Sequence, residues 1–312
     1  MDNLTLRRYR VSDASAVSAL FRRIYGDHYA QPHVYLPCMF SQNHKEGRWH
    51  SLVAVDNQQI RGHATLFREL SRSASKGTRT AELALSVVDP DTRGQNIATR
   101  LGQKLLIHAQ ALDCHSVTIK QVTQHPYTQR MASSLGFHST GLLPDYVASP
   151  FGELNRETVV LGFQSIDGYQ RPLPALVWPE DCRELMHYLS AAFGTEETQP
   201  AWKHPRMSFD HSSGRYDVNI KELDASLLDQ LRQLPAHWLI SLRLRLAKGF
   251  TDAMQQLSTL GFAFTGVAPD DRSEGWLALF HRGYGARKLT LHCPHMQRLH
   301  DRAQQQAGLI EG

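Results

Sequence analysis

Between Asp89 and Leu112 the residue types suit the binding of an anion. The apolar run Ala81-Glu82-Leu83-Ala84-Leu85-Ser86-Val87-Val88 enters the turn Asp89-Pro90-Asp91-Thr92, and the loop Arg93-Gly94-Gln95-Asn96-Ile97-Ala98 follows. Ile97, Leu101, Leu105, His108 and Leu112 then recur at helical spacing. At a strand-to-helix junction several backbone N–H groups lack intrahelical partners, and with the positive end of the helix dipole they can hold a pyrophosphate. The loop is not a Walker loop, because no Gly-Lys-Ser/Thr follows, and not a dinucleotide fingerprint, because Gly94 stands alone.

The elements around this loop set its context. Leu4-Thr5-Leu6-Arg7 alternates like a strand, and Ser12-Asp13 caps a helix with Val17, Leu20, Phe21 and Ile24 on one face. Residues 25–49 form a short irregular helical segment with aromatic packing. Leu52–Val55 and Ile60–Phe67 pair as a hairpin through Asp56-Asn57-Gln58-Gln59. Residues 114–122 make a strand parallel to the 81–88 strand across the helical crossover. A helix over 126–134 ends at Leu135-Gly136-Phe137 with Gly136 as its cap, and a strand at 157–163 closes the first domain.

The loop and the Leu-Gly-Phe ending resemble two hallmarks of the GNAT superfamily of N-acyltransferases. The first is Arg/Gln-x-x-Gly-x-Gly/Ala after Val-x-Pro; here Arg93 fills the first position and Ala98 the last. Asn96 replaces the central Gly, and Asn is the non-Gly residue best suited to left-handed backbone. The resemblance implies a transfer of an acyl group from acetyl-CoA or another acyl-CoA to a primary amine of a small molecule, by direct attack in a ternary complex. It implies that Arg93, Gly94, Gln95, Asn96, Ile97 and Ala98, with Thr99 in the first helical turn, hold the pyrophosphate. It places the pantetheine arm between two splayed strands and the oxyanion donor at the amide of Val87 or Val88. Glu82 stands where many members keep a general base; an exposed strand carboxylate is the alternative reading.

The proton donor departs from the family pattern. The usual Tyr four residues before the helix-ending Gly is Ala132, and the usual Asn near the helix start aligns with His125. Tyr127, His125, Ser133 and Ser134 remain as candidates. These departures keep a rival function open, a catalytically silent acyl-CoA-binding regulatory module.

The chain also echoes itself. Residues 260–270, Leu-Gly-Phe-Ala-Phe-Thr-Gly-Val-Ala-Pro-Asp, repeat residues 135–145 at an offset of 125. Carried upstream, the offset sets Leu242, Leu244 and Leu246 over Val117, Ile119 and Gln121; downstream, 276–280 matches 159–163. Helices are expected near 182–193 and 225–234, a strand at 216–220, and equivalent strand ends before Pro179 and Pro294. No Arg-Gly-x-x-x-Ala loop lies between residues 172 and 239. The expected fold is α/β (α+β), a GNAT-like mixed, mostly antiparallel sheet flanked by helices. Residues 1–167 form a complete domain and 168–312 a degenerate one.

Composition sets outer bounds. A length of 312 residues with 41% hydrophobic content supports two cores, and a net charge of +4 with interspersed signs excludes nucleic acid as an expected partner. A basic surplus at Arg68, Arg72, Lys76 and Arg79 reads as a solvated loop. Cys38, Cys114, Cys182 and Cys293 form no paired motif, and Cys293, His295 and His300 match no zinc spacing and read as helix-surface residues, so no metal is expected. Asp210-His211 with Asp217 lacks a nucleophile motif. Gln304-Gln305-Gln306 reads as a fraying helix end. No signal or membrane-spanning segment is read, so a cytoplasmic protein is expected, with a homodimer left open.

Overall fold

The computed structural model describes residues 4–68, 79–212 and 214–308, so Arg72 and Lys76 lie outside the described residues. The first half runs β1 (Thr5–Arg8), α1 (Ala14–Tyr25), α2 (Pro37–Lys45), β2 (Trp49–Asp56), β3 (Gln59–Arg68), β4 (Thr80–Val88), α3 (Ile97–Ala111), β5 (Ser116–Val122), α4 (Tyr127–Ser134), β6 (His138–Val147) and β7 (Glu157–Ser165). The second half runs β8 (Leu173–Pro174), α5 (Glu180–Phe193), β9 (Thr195–Glu196), β10 (Met207–Ser212), β11 (Arg215–Ile220), α6 (Ala225–Gln233), β12 (Ile240–Arg245), α7 (Phe250–Thr259), β13 (Ala263–Pro269), β14 (Trp276–Arg282) and α8 (Pro294–Gln306).

Twelve strands join in one mixed, mostly antiparallel sheet, ordered β1-β2-β3-β4-β5-β7-β6-β13-β14-β12-β11-β10. Local chemistry accounts for its parts. Asn57 and Gln58 both take positive φ, the backbone of a two-residue hairpin turn between β2 and β3. The apolar stripe of α3, Ile97, Leu101, Leu105 and Ala109, is buried against Ala81, Leu83, Val117 and Ile119 on one face of the sheet. On the other face Val17, Leu20 and Phe21 of α1 pack with Phe40 of α2 and with Leu85 and Val87.

The two halves repeat one arrangement, β3-β4-β5-β7-β6 in the first and β10-β11-β12-β14-β13 in the second, and meet where β6 pairs antiparallel with β13 at Gly141 and Gly266. The repeat extends to detail. The β6–β7 register breaks between Ser139 and Gly141, and the β13–β14 register between Phe264 and Gly266. In each bulge a fully buried threonine donates across the pair, Thr140 to the Leu161 carbonyl at 3.5 Å and Thr265 to the Leu279 carbonyl at 3.4 Å. Both Leu-Gly-Phe endings close their helices with the same bond, Phe137 N–H to the Ala132 carbonyl and Phe262 N–H to the Leu257 carbonyl.

Several expectations change. With Gly141 and Gly266 equivalent, Leu161 and Leu279 lie opposite them, and Lys120 and Arg243 lie opposite those leucines. Ile119 therefore corresponds to Leu242 and not Leu244, because α7 has 10 residues against 8 in α4. By the same pairing Val159 corresponds to Leu277 and not Trp276. Pro179 and Pro294 end no strands: Pro179 is the N-cap of α5 and Pro294 opens α8, where its missing N–H costs nothing. Gln304 does not fray; it is 2% exposed and accepts the Arg287 N–H. His300, expected at the surface, is buried and bonds the Arg287 carbonyl at 2.9 Å.

Candidate active site

The two parallel strands at the centre of the first half pair only over Thr80–Leu83 and Ser116–Ile119, after which β4 continues to Val88 without β5 beside it. β5 meanwhile stays paired with β7 as far as Val122 opposite Val159. A gap therefore opens between β4 and β5.

A bulge aims the backbone into this gap. Between the pairs Thr65–Ala84 and His63–Val87, β4 spends one more residue than β3, and Leu85 takes a φ of 48°. The Leu85 carbonyl is caught by Nδ1 of His63 at 3.0 Å. His63 is fully buried, and burial pushes its imidazole down to about 3, so the ring is neutral. Beyond the bulge the Asp89 N–H bonds the Arg61 carbonyl at 2.8 Å. Strand alternation then turns Val87 toward β3 as well and leaves the Val88 N–H facing the gap. Of the two expected oxyanion donors, the geometry frees Val88 and engages Val87.

The loop at the mouth of the gap is anchored from below. Asp89, 2% exposed, accepts from Arg23 of α1 and Arg61 of β3, both at 2.9 Å, and from the Asp91 N–H at 3.1 Å. Burial alone would raise this carboxyl, but the Asp91 amide and the two guanidinium groups hold it below the usual range. Residues 93–96 are exposed, with φ of 84° at Gly94 and 54° at Asn96. Asn96 is the left-handed N-cap of α3 and its side chain makes no capping bond. Among the described residues no protein acceptor engages the N–H groups of residues 94–99. The loop thus presents a row of free donors at a helix N-terminus.

The structure places the expected catalytic residues in unequal positions. One oxygen of Glu82 is held by Nζ of Lys120 at 2.6 Å, a partner 38 residues away that sequence spacing could not reveal. His125 lies within the field of Arg93; burial first, then that charge, pushes its imidazole below the ordinary value, and its Nδ1 is buried without a hydrogen-bond partner. Tyr127 is 67% exposed at the start of α4, its ring 5.1 Å from that of His125. Ala132 is buried in the core beneath α4, while Ser134 bonds back to the Met131 carbonyl at 2.8 Å.

Glu157 opens the closing strand β7. It is 9% exposed, just past the end of β5, and accepts the Gln124 N–H at 3.1 Å. Burial pushes its carboxyl above the ordinary range, opposed by the Gln124 and Thr123 amides. Burial pushes the Tyr25 hydroxyl of α1 above its ordinary value, with Arg93 acting against the rise and Glu157 adding to it. No feature of its local sequence marks this residue; its burial comes from the fold.

Residues 14–137 match the family model described as acetyltransferase (GNAT) family. Residues 14–137 thus carry a GNAT acetyltransferase domain. Similar solved structures span about half of this chain. An N-acetyltransferase from Staphylococcus aureus Mu50 is 16% identical, covering 53% of this chain and 99% of its own, with a TM-score of 0.45. The putative acetyltransferase yncA from Salmonella typhimurium, solved with its cofactor acetyl-CoA, is 18% identical over 54% of this chain and 96% of its own, TM-score 0.46. A phosphinothricin acetyltransferase from Sinorhizobium meliloti in complex with AcCoA is 20% identical over 53% and 89%, TM-score 0.45. No curated protein matches the chain.

The GNAT domain differs from the second half at the points that would receive a cofactor. There β11 is paired with β12 from Tyr216 through Ile220, its last residue, so no gap opens. The crossover helix α6 is capped by Asp224, whose carboxylate accepts the Leu227 N–H at 2.8 Å and places negative charge where an anion would bind. A cluster that could hold a metal ion, His204 with Asp270 and Asp271, also lies in the second half, away from the GNAT loop.

Proposed function

We propose that the chain transfers an acetyl group from acetyl-CoA to a primary amine of a small molecule, by direct attack within a ternary complex. The observation that carries this reading is the gap after Leu83 and Ile119, with the Val88 N–H facing it and the free amides of residues 94–99 at its mouth. The pyrophosphate would sit on the loop from Arg93 to Thr99 and the pantetheine arm in the gap. The thioester carbonyl oxygen would point to Val88, whose amide stabilises the oxyanion formed on attack.

The amine must be neutral to attack. Glu157, raised by burial, takes the first ammonium proton; the neutral nitrogen bonds the carbonyl carbon, the C–S bond breaks, and the second proton leaving the nitrogen passes through water to the departing thiolate. Glu82, bound to Lys120, belongs to the acceptor side of the site. Residues 168–312 act as a degenerate GNAT-like half without a cofactor of its own, so each chain works one site.

The test is release of free thiol from acetyl-CoA with a panel of amino acids, diamines, polyamines and peptide N-termini. Turnover on at least one amine is expected; absence of both turnover and acetyl-CoA binding contradicts the reading. The Ala132 position and the Glu82–Lys120 pair favour a second reading, a silent acyl-CoA-binding module. That reading predicts a thermal shift with acetyl-CoA and no thiol release.

A further inference from the structure

The sheet face that carries Glu82 continues past the GNAT domain into the second half. Lys120, Leu161, Gly141, Gly266, Leu279 and Arg243 are successive partners across six strands, so Lys120 and Arg243 sit at equivalent positions on the same face. Tyr146 stands between Lys120 and Arg215. The Lys120 ammonium lies 5.9 Å from its ring centroid and the Arg215 guanidinium 4.3 Å from it, with Arg215 also donating to the Tyr146 carbonyl at 2.8 Å. Contacts link the charges in a chain, Lys120 to Tyr146, Tyr146 to Arg215, Arg215 to Asp217 and Asp217 to Arg243. Burial lowers Lys120, Glu82 and Tyr146 raise it to a net upward position, and Arg243 draws it down again.

Pairing of these charges leaves one over. Lys120 is matched by Glu82 at 2.6 Å. Arg215 grips Asp217 with Nε at 3.1 Å and Nη2 at 2.9 Å, occupying both carboxylate oxygens. Arg243 is left 3.9 Å from Asp217, its side chain 31% exposed and its Nε buried with no hydrogen bond among the described residues. A partly exposed guanidinium with one donor unsatisfied and its nearest carboxylate already gripped by Arg215 can take a further anion, and its planar fork matches a carboxylate.

We propose that Arg243 of the second half is the acceptor-specificity residue, binding a carboxylate carried by the amine that the GNAT domain acetylates. The acceptor class is therefore a carboxylated amine, held by both halves: its amine lies toward Glu157 and its carboxylate toward Arg243. A purely cationic acceptor would bring a second positive charge to the Arg243 guanidinium, where a carboxylated one brings an anion, so like charge at that end selects against it. This inference rests on the acetyl-transfer reading for the chemistry, while its charge argument concerns binding alone.

Binding is therefore the direct test. The full chain is titrated calorimetrically with ω-amino acids from glycine to 8-aminooctanoate and with the diamines of matching length. At least one amino acid should bind roughly tenfold or more tightly than its diamine, Arg243→Ala should lose roughly tenfold or more of that affinity, and Arg243→Lys should recover part of it. Arg232→Ala, exposed on α6 and paired with Asp229, serves as the unchanged control. Diamines that bind as well as amino acids, or an Arg243→Ala protein with full affinity, overturn the proposal. Thiol release in the same series separates the two readings. A carboxylated amine that binds through Arg243 without being acetylated contradicts acetyl transfer and sustains Arg243. Amines acetylated with equal KM by wild type and Arg243→Ala do the reverse. For a carboxylated substrate, Arg243→Ala should raise KM roughly tenfold with kcat little changed, the signature of lost ground-state binding.

Discussion

Gly266 lies directly against Gly141 at the register pair between β13 and β6, and a Cβ on Gly266 would stand 2.5 Å from the Thr140 carbonyl oxygen and well inside contact with the Gly141 Cα. Gly266 also takes a φ of 111°. The two halves can therefore share one sheet only because both positions lack side chains.

Gly266→Ala should accordingly cost about 3 kcal/mol or more, from strained backbone and overpacking together, and lower the melting temperature by roughly 5–10 °C. Gly94→Ala, with open space around the added Cβ, is the comparison and should cost only about 1–2 kcal/mol. Equal melting temperatures for the two variants would show that the junction tolerates a side chain.

His63→Ala removes the ring that holds the Leu85 carbonyl in the β4 bulge and leaves a cavity beneath Phe21 and Phe40. A loss of about 2–4 kcal/mol is expected, with a fall in acetyl-CoA turnover beyond what stability explains, because the bulge sets the direction of the Val88 amide. Turnover per folded molecule equal to wild type would separate His63 from the site.

Glu157 makes activity depend on pH. Only its deprotonated form can accept the ammonium proton, and burial raises its carboxyl, so kcat/KM should rise with pH through a value above the ordinary carboxylate range. Glu157→Gln should lower kcat/KM about 10²-fold or more and abolish that limb of the profile. Stability runs the other way. The folded state holds this proton more tightly than the unfolded chain, so the contribution of Glu157 is full at low pH and is lost as pH rises through the raised folded value. Urea melts of wild type and Glu157→Gln across that range check the sign.

Asn96 tests the loop. Its left-handed backbone is tolerated by Asn and better by Gly, and it is a poor place for a β-branched residue. Asn96→Gly should keep acetyl-CoA affinity, whereas Asn96→Val should weaken it roughly tenfold as the free amides turn away. Thermal shift with acetyl-CoA reads both; equal shifts for Gly and Val would remove the loop from the binding site.

Local chemistry made much of this architecture legible. Gly136 and Gly261 announce helix ends, the α3 stripe announces its buried face, and the loop before α3 can be read as an anion site because capping needs are local. Long-range geometry was not legible. A bulge at Leu85, the two extra residues of α7 and the end of β4–β5 pairing leave no mark in composition, yet they decide which amide is free and which strand positions correspond. Glu82 looks the same in sequence whether it is a free base or bound to Lys120, and Glu157 acquires its raised proton affinity only from burial by distant segments. Arg243 reaches the face of Lys120 only through pairing across six strands, which no local pattern records.

The central claim is one thioester site, in the gap between β4 and β5. A crystal structure of the full chain soaked with acetyl-CoA tests it most directly. One acetyl-CoA per chain is expected, its pyrophosphate on the amides of residues 94–99 and its carbonyl oxygen about 2.7–3.1 Å from the Val88 nitrogen. A thioester carbonyl out of reach of Val88, or a second acetyl-CoA at the start of α6, would contradict it.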